Sequence, residues 1–521
     1  MHCDGKALEF DAVRRLLEKL ASTPYGADAA RQIAPAPDLI VARSMLAAVT
    51  AARAAIDAGE APLMQNVPDV RAALRQSLSP GAALSGSALR NLRQVIGVVE
   101  GLRHAVEARP DIYPGSKVHL NPPPEIAQRL DRTVHASGRV REDASPRLVE
   151  IGQQLAKLRE EALETLTKRL QRTDCAEFAG VKSIVWQGAR VMLTVPADKI
   201  ERIKGVRRGS SGKEQYFLVE PLEVVATNNR LEALSGRQEG EIQLLLRETT
   251  DFLREHLKSL HQMLDALTWI DLAMAGGHLS AHLNAHAPRL VPEPQLMLNR
   301  AFHPFLLLQF ASGQGPAPVA LTLTLDQRQP MLLVTGPNTG GKTVVLKTVG
   351  LLVTMAHCGL HIPAEGDCVV GDFSRVIVDI GDPQSLNHHL STFAGHVETL
   401  KRLLSEADER TLVLLDELGT GTDPEEGAAL AMAVLDELAR RGVHGIVTTH
   451  LSPLKAFAEA HKRLTNACMQ FDDERLQPTY QLQVGCSGRS LGLVIARKRG
   501  LPEELVERAR SYLEHLAGNQ Q

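Results

Sequence analysis

A glycine-rich segment that ends in lysine and threonine carries the clearest chemistry in the sequence. It follows the apolar run 331–335 and precedes a helix-like apolar run from Val344. This is the Walker A pattern G-x-x-x-x-G-K-T in the strand, loop and helix context that a phosphate-binding loop (P-loop) requires. Its residues are Gly336, Pro337, Asn338, Thr339, Gly340, Gly341, Lys342 and Thr343. We expect Lys342 to reach the β- and γ-phosphates of ATP, and Thr343 to ligate Mg²⁺. A chance Gly-Lys-Thr in a turn is disfavoured by the two correct flanks.

Two adjacent carboxylates follow a second apolar run. Residues 411–415 have the unbroken, Leu/Val-rich pattern of a buried parallel strand, and Asp416 and Glu417 come directly after it. In a P-loop fold we expect this strand beside the phosphate loop, with Asp416 holding the metal and Glu417 orienting or deprotonating the attacking water. An exposed acidic pair at a strand end is the alternative, but the phosphate loop already calls for such a pair.

Two further segments are candidates to complete an ATP site. His450 follows the strand-like run 446–449, and ligands of α/β sheets bind at that end of the strands, so it is a candidate sensor of the γ-phosphate. A surface histidine without such a role is the alternative. Ser391 and Thr392 are suited to cap a helix N-terminus. Because helix N-termini also bind anions, they could touch the γ-phosphate held by a second copy of the chain.

The elements that must position these residues belong to an α/β region, in which apolar strands and helices alternate. Two long helical patterns, 148–170 and 242–267, precede it and could pair, with short β-rich pieces between them. The predicted domains are 1–145, a helical core; 146–289, helical arms with a β-rich tip at about 183–225; and 290–521, the ATPase and dimerisation domain. The predicted fold class is therefore multidomain: an all-α core with antiparallel helical arms, then an α/β P-loop domain of the ABC type.

The β-rich tip carries a basic loop between residues 199 and 213. Glycines separate its basic side chains, and the composition suits contact with nucleic-acid phosphates. The basic residues are Lys199, Arg202, Lys204, Arg207, Arg208 and Lys213. A solvated turn explains the same composition, so both interpretations stay open.

Bulk composition leaves the partner open. The 521 residues are 44% hydrophobic, enough for several cores, and the net charge of -3 gives no global basic field. Six cysteines lack Cys-x-x-Cys spacing, which argues against structural zinc and a disulfide framework. The N-terminus has no signal pattern and no stretch approaches the length of a membrane span, so we expect a soluble, cytoplasmic protein without a membrane partner.

Taken together, these motifs resemble the MutS family of mismatch-repair ATPases, and most closely its second bacterial branch, the MutS-two subfamily. The motifs that carry the resemblance are 336–343 with 346–352, 390–393, 415–424, and 478–480 with 488–490. Weaker matches lie at 7–11, 220–221 and 228–229.

The resemblance implies a homodimer that hydrolyses ATP with Mg²⁺, in which the segment around Ser391 from one subunit completes the ATP site of the other. It also implies a clamp on branched or mismatched double-stranded DNA, with a role in DNA repair and suppression of recombination. A ribosome-associated ATPase that acts on stalled or collided ribosomes is the alternative. A third hypothesis, an adaptor with little turnover, is disfavoured by the intact Lys342, Asp416 and Glu417.

The sequence departs from the family pattern in three respects. It has no counterpart of the N-terminal mismatch-sensing domain. It ends at Gln521 without the C-terminal Smr nuclease domain, so we expect no intrinsic nuclease activity. Phe302 stands where the family usually has Arg, and Leu451 where an aromatic residue is common.

Overall fold

The computed structural model of the chain describes all residues except 4, 6, 63, 109–119, 172–182, 211–215, 337–339, 381–388, 473–476, 489–492, 494–495, 498–499 and 519–521. The helices are α1 (Phe10–Leu20), α2 (Pro24–Gln32), α3 (Leu39–Asp57), α4 (Arg71–Ser77), α5 (Gly86–Ala108), α6 (Pro124–Thr133), α7 (Pro146–Gln171), α8 (Leu222–Glu255), α9 (Leu257–Leu283), α10 (Pro304–Ala311), α11 (Lys342–His357), α12 (His389–Glu406), α13 (Pro424–Arg440), α14 (Ser452–Ala460) and α15 (Glu503–Gly518). The strands are β1 (His2–Cys3), β2 (Ser183–Gln187), β3 (Arg190–Pro196), β4 (Gly205–Ser210), β5 (Tyr216–Pro221), β6 (Arg289–Val291), β7 (Leu296–Ala301), β8 (Leu321–Leu325), β9 (Met331–Thr335), β10 (Val369–Gly371), β11 (Arg375–Asp379), β12 (Thr411–Leu415), β13 (His444–Thr449), β14 (Leu464–Asp472) and β15 (Gln477–Val484).

The chain divides into two compact units. The first comprises mainly Met1–Gln65 and Leu267–Gln521, and the second comprises Asn66–His104 and Val118–Ala266. This grouping differs from the three consecutive domains expected from the sequence, because residues 1–65 join the C-terminal α/β part. The division into three domains stays a prediction.

A seven-stranded sheet forms the centre of the first unit, in the order β1-β11-β12-β13-β9-β14-β15. All its neighbouring pairs are parallel except β14 and β15, which are antiparallel. Every residue of β9, β12 and β13 is buried, as expected for central strands of a sheet covered on both faces. The carboxyl ends of these three strands therefore lie at one edge. Strand β12 is not the direct neighbour of β9, since β13 lies between them.

The N-terminal segment is part of the first unit's core. Strand β1 pairs with β11, and Leu8 and Phe10 are buried in the same apolar cluster as helix α11. A Cβ added to Gly350 of α11 would lie 2.3 Å from Leu8 Cδ2, so this close approach requires glycine. Glu9 forms an ion pair with Lys347 of α11 at 2.7 Å. A smaller sheet, in the order β6-β10-β7-β8, belongs to the same unit.

Helix α3 has the length and apolar composition of a membrane span, with 19 residues and a mean hydropathy of 1.6. The expectation that no stretch approaches this length is therefore wrong. In the structure Ala42, Leu46 and Val49 of α3 are buried in the main apolar cluster, and Arg43 Nη2 donates to the Leu290 carbonyl at 2.7 Å. These contacts are typical of a core helix. The cytoplasmic location stays a prediction.

In the second unit, helices α7 and α8 lie antiparallel. Ser145, just before α7, donates to Glu241 of α8 at 2.8 Å, and Arg169 near the end of α7 pairs with Glu223 at 3.4 Å. The partner of α7 is thus the first part of α8, and not the pattern 242–267, which is divided between α8 and α9. The strands between α7 and α8 form an antiparallel sheet in the order β2-β3-β5-β4. Strand β5, the last of them along the chain, ends at Pro221 rather than near 225.

Candidate nucleotide site

The phosphate loop connects β9 to α11, as the motif predicts; its residues Pro337, Asn338 and Thr339 lie outside the described part of the chain. Gly336 and Gly341 have φ angles of 141° and 92°, which side-chain-bearing residues rarely adopt. Lys342 begins α11, is only 2% exposed, and donates from Nζ to the Gly336 carbonyl at 2.9 Å. The Lys342 side chain therefore lies back over the phosphate loop and contacts its first residue.

The charge of Lys342 is balanced by the two carboxylates after β12. Burial lowers the pKa of Lys342 below its usual range, while Glu417 and Asp416 raise it by smaller amounts. The structure thus brings together Lys342 and both acidic residues, which are more than seventy positions away in the sequence.

Asp416 is oriented by hydroxyl groups from two elements. Thr343 Oγ1 of α11 donates to Asp416 Oδ2 at 2.6 Å, and Thr448 Oγ1 of β13 donates to Asp416 Oδ1. Hydroxyl and carboxylate oxygens are ligands that Mg²⁺ prefers. Thr343 and Asp416 therefore fit the metal that the motif implies.

Glu417 adopts an uncommon backbone conformation, with a φ angle of 54°. The backbone N–H of Glu417 donates to Thr448 Oγ1 at 2.9 Å, and the N–H of Leu418 donates to the Thr448 carbonyl at 3.0 Å. Left-handed conformations at non-glycine residues are rare and cluster at functional sites. Strand β13 thus holds the chain in the turn that directs it away from β12.

The other two predicted segments differ in what the structure describes. His450 directly follows β13 and is exposed, and Thr449 lies opposite Thr335 of β9, so His450 is at the same sheet edge as the phosphate loop. Helix α12 begins at His389, so neither Ser391 nor Thr392 is its N-cap. The side chains of Ser391 and Thr392 lie outside the description, and the roles of both segments stay predictions.

A pocket of about 260 Å³ lies beside the phosphate loop. The residues that line it include Gly341, Val345, Pro318, Val319 and Tyr480. A Cβ on Gly341 would approach Tyr480 Cδ1 to 3.1 Å, so the ring lies close against the loop. An apolar pocket next to a phosphate site suits the flat base of a nucleotide.

Two residues support the start of the phosphate loop: Gly488, from the motif 488–490, and Lys455, which sequence reasoning did not single out. The N–H of Gly488 donates to Thr335 Oγ1 at 2.8 Å, and Lys455 Nζ donates to the Gly488 carbonyl at 2.7 Å. Cys486, two residues before Gly488, forms a disulfide with Cys468 of β14. The spacing of the cysteines argued against a disulfide framework, yet these two cysteines are paired. Their spacing gave no signal, because pairing of β14 with β15 brings them together.

Among the described residues 199–210, most of the predicted basic loop is regular secondary structure. A 3-10 helix spans Ala197–Arg202, and strand β4, which lies at the sheet edge, contains Arg207 and Arg208. Lys204 is exposed, whereas Lys213 and the side chain of Arg202 lie outside the description and Lys199 is half-buried. The Arg207 guanidinium stacks on the Phe217 ring at 3.4 Å.

Arg208 has an internal partner, the carboxylate of Glu220. Arg208 Nε and Arg190 Nη1 donate to Glu220 at 2.8 and 2.6 Å, and Asn228 of α8 donates at 2.9 Å. Glu220 is fully buried. Burial raises its pKa, but the hydrogen bonds from Asn228, Arg208 and Arg190 outweigh that effect and leave the pKa below its usual range. Glu220 therefore links β4, through Arg208, to α8, through Asn228.

Two of the parallel strands end in the phosphate loop and in the Asp-Glu pair, and a threonine hydroxyl donates to the aspartate. This arrangement is typical of a P-loop nucleotide-binding domain. The family model "MutS domain V" matches residues 332–517. The chain is 38% identical over 515 residues to the "Endonuclease MutS2" of Thermus thermophilus, a match that covers 98% of this chain and 65% of the relative. It belongs to the MutS family, in the MutS2 branch.

Two further relatives agree with this assignment. The "Endonuclease MutS2" of Symbiobacterium thermophilum is 35% identical over 98% of this chain and 63% of the relative. That of a Synechocystis species is 36% identical over 97% of this chain and 64% of the relative. The chain thus spans somewhat less than two thirds of the length of these relatives.

Proposed function

We propose that the chain binds ATP and hydrolyses it with Mg²⁺. The observation that carries the proposal is the 2.6 Å hydrogen bond from Thr343 to Asp416, next to the buried Lys342. This bond joins the end of the phosphate loop to the Asp416-Glu417 pair. Phosphoryl transfer requires both a loop that binds the phosphates and a carboxylate that holds the metal ion. Members of the MutS family are ATPases, which agrees with this chemistry.

Each residue has a distinct role in the proposed reaction. Lys342 binds the β- and γ-phosphates, and Thr343 and Asp416 would hold Mg²⁺, which when bound neutralises charge on the phosphates. Glu417 orients the attacking water and accepts its proton. His450 contacts the γ-phosphate from the end of β13. The adenine ring of ATP lies in the pocket beside Tyr480.

A second copy of the chain is proposed to complete the site. Ser391 and Thr392, in the first turn of α12, would contact the γ-phosphate bound by the other subunit, because helix N-termini favour anions. The proposed active form is therefore a homodimer.

The proposed partner is double-stranded DNA with a branch or mismatch, as an intermediate of DNA repair or recombination. Membership of the MutS family supports DNA as the ligand, and the antiparallel α7 and α8 with their sheet provide long arms. Lys204 and Arg207 at the exposed edge strand are proposed to contact phosphates, with Lys199, Arg202 and Lys213. The relatives are named endonucleases; the activity that we propose for this chain is ATP hydrolysis.

Steady-state ATP hydrolysis tests this function. The wild type and Glu417→Gln are assayed at fixed salt with no addition, with a four-way junction, with mismatched duplex, with plain duplex and with ribosomes. We expect hydrolysis by the wild type, stimulation by branched or mismatched DNA, and a loss of about 100-fold or more in Glu417→Gln, because a general base typically contributes that much. Equilibrium binding of ATP should remain in the variant.

Glu409→Gln is the matched control, since this exposed glutamate lies before β12, at the opposite end of the strand from Glu417. It should hydrolyse ATP like the wild type. If only ribosomes stimulate ATP hydrolysis, the ribosome rather than DNA is the partner. An absence of ATP binding by the wild type would overturn the proposal as a whole.

A further inference from the structure

Two polar residues that line the pocket beside the phosphate loop are buried, Thr348 and His303. His303 lies between β7 and α10 and is only 8% exposed. It occupies the N-cap position of α10, but its side chain accepts no hydrogen bond from the helix. His303 is instead one of the residues that line the pocket.

The other polar side chains that line the pocket are already engaged or exposed. Thr348 Oγ1 donates to the Val344 carbonyl of its own helix at 2.6 Å. Gln309 is exposed to solvent, and Tyr480 is 51% exposed. His303 Nδ1 is shielded from solvent and has no hydrogen-bond partner within the described part of the chain, so a ligand in the pocket can meet the imidazole only at another edge of the ring. Buried polar groups without a partner are rare and call for an explanation.

The surroundings keep the imidazole uncharged. Burial lowers the pKa of His303 below its usual range, Glu9 raises it by a smaller amount, and Lys347 lowers it further. A neutral imidazole has one donor and one acceptor nitrogen, so it can bond to the edge of a heterocyclic base. It is poorly suited to bind phosphate, which favours cations.

We propose that His303 hydrogen-bonds the edge of the nucleotide base in this pocket and makes the site select adenine over other bases. This inference rests on the proposed function, since it assigns the base-reading residue of the same site. Apolar walls such as Pro318 and Val319 bind any flat base and distinguish bases weakly. A buried hydrogen-bonding group discriminates strongly, because the wrong base leaves it unpaired.

The test compares the wild type with His303→Phe, which fills a similar volume without ring nitrogens, and with His303→Gln, which keeps a donor and an acceptor. Dissociation constants are measured for ATP, GTP, CTP, UTP and 2′-deoxy-ATP, together with kcat and KM for ATP. We expect the preference of the wild type for ATP over GTP to fall about tenfold in His303→Phe, with KM raised and kcat little changed. His303→Gln should retain part of the preference.

His282→Phe, at an exposed position in α9, is the matched control and should keep the wild-type preference. Thermal unfolding of each variant separates a folding defect from a binding change, and His303→Gln keeps the test decisive if the Phe variant does not fold. An unchanged preference in both folded His303 variants would overturn the inference, as would a change confined to 2′-deoxy-ATP, which would assign His303 to the ribose. A wild type that binds no nucleotide would instead refute the proposed function.

Discussion

At the scale of single residues, threonine hydroxyls position the acidic groups of the nucleotide site. Thr343 and Thr448 each donate to one oxygen of Asp416, and Thr448 Oγ1 also accepts the N–H of Glu417. One side chain of β13 therefore holds the carboxylate of Asp416 and the backbone of Glu417. A change at Thr448 would disturb the two acidic residues together, although Thr448 itself has no role in the chemistry of the motif.

A second histidine gives the stability of the chain a defined dependence on pH. His361 is buried between Ser280, whose Oγ lies 2.8 Å from Nδ1, and Thr50, whose Oγ1 lies 2.9 Å from Nε2. Burial lowers its pKa to about 4, from 6.5. Between these values the unfolded chain binds a proton that the folded chain excludes. The contribution to stability is therefore complete above pH 6.5 and is lost as the pH falls towards 4, by about 3 kcal/mol.

Urea unfolding measured from pH 4 to pH 8 checks this prediction. The free energy of unfolding of His361→Gln should fall less steeply between pH 6.5 and pH 4 than that of the wild type. His282→Gln should retain the wild-type slope, because this residue is exposed. Equal slopes in the wild type and His361→Gln would show that His361 is not the group responsible.

The residues of the site differ in how far the sequence reveals them. The phosphate loop and the Asp416-Glu417 pair can be predicted because each is a short, contiguous pattern with its own strand before it. Thr448 and Lys455 cannot, because neither belongs to a short motif: Thr448 reaches the loop through the pairing of β13 with β9, and Lys455 through its hydrogen bond to Gly488. Tyr480 belongs to the motif 478–480, but its position beside the loop depends on the pairing of β14 with β9 and of β15 with β14. The same is true of His303, whose isolated position in the sequence carries no periodic signal.

At the scale of elements, helical and strand patterns are local and were largely predictable, but their partners were not. The stripe at 242–267 predicted a helix, yet it is divided at His256, between α8 and α9. The sheet between α7 and α8 in the chain sets how the two helices pair. The spacing of apolar residues along each helix does not reveal that pairing. The basic tip residues also read as a loop, since the short β4 has no apolar alternation.

The hairpin of β14 and β15 is closed by the Cys468–Cys486 disulfide, behind the phosphate loop. The bond links cysteines 18 residues apart. Constraining an unfolded loop of this size corresponds to about 3 kcal/mol of stability. We therefore expect a reducing agent to lower the midpoint of thermal unfolding of the wild type, as measured by circular dichroism.

The double variant Cys468→Ser with Cys486→Ser serves as the control for reduction. It should unfold at the temperature of the reduced wild type, and a reducing agent should not lower that temperature further. A wild type whose unfolding is insensitive to reductant would contradict a stabilising role of the bond.

At the scale of the whole molecule, the second unit is inserted into the first. It has an apolar core of its own, which includes Leu155 and Leu166 of α7, Leu193 of β3 and Leu231 of α8. Arg254 Nε also donates to the Ser77 carbonyl within this unit, at 2.7 Å. These contacts predict that a polypeptide of residues 66–266 folds without the rest of the chain.

Separate expression of residues 66–266 and of residues 1–145 distinguishes the two divisions of the chain. The first should show a helical far-ultraviolet spectrum and a cooperative thermal transition. The second should not, because its residues 1–65 lack their partners beyond residue 267. Cooperative unfolding of residues 1–145 alone would instead support the three consecutive domains.

The pairing of β1 with β11 bears on the order of events during synthesis. His2 lies opposite Arg375, so β1 must wait for a partner strand that is made roughly 370 residues later. At the usual rate of translation this delay is about 20–70 s. Residues 66–266 have an apolar core of their own and can fold during this delay, so we expect the second unit to be complete before the central sheet of the first.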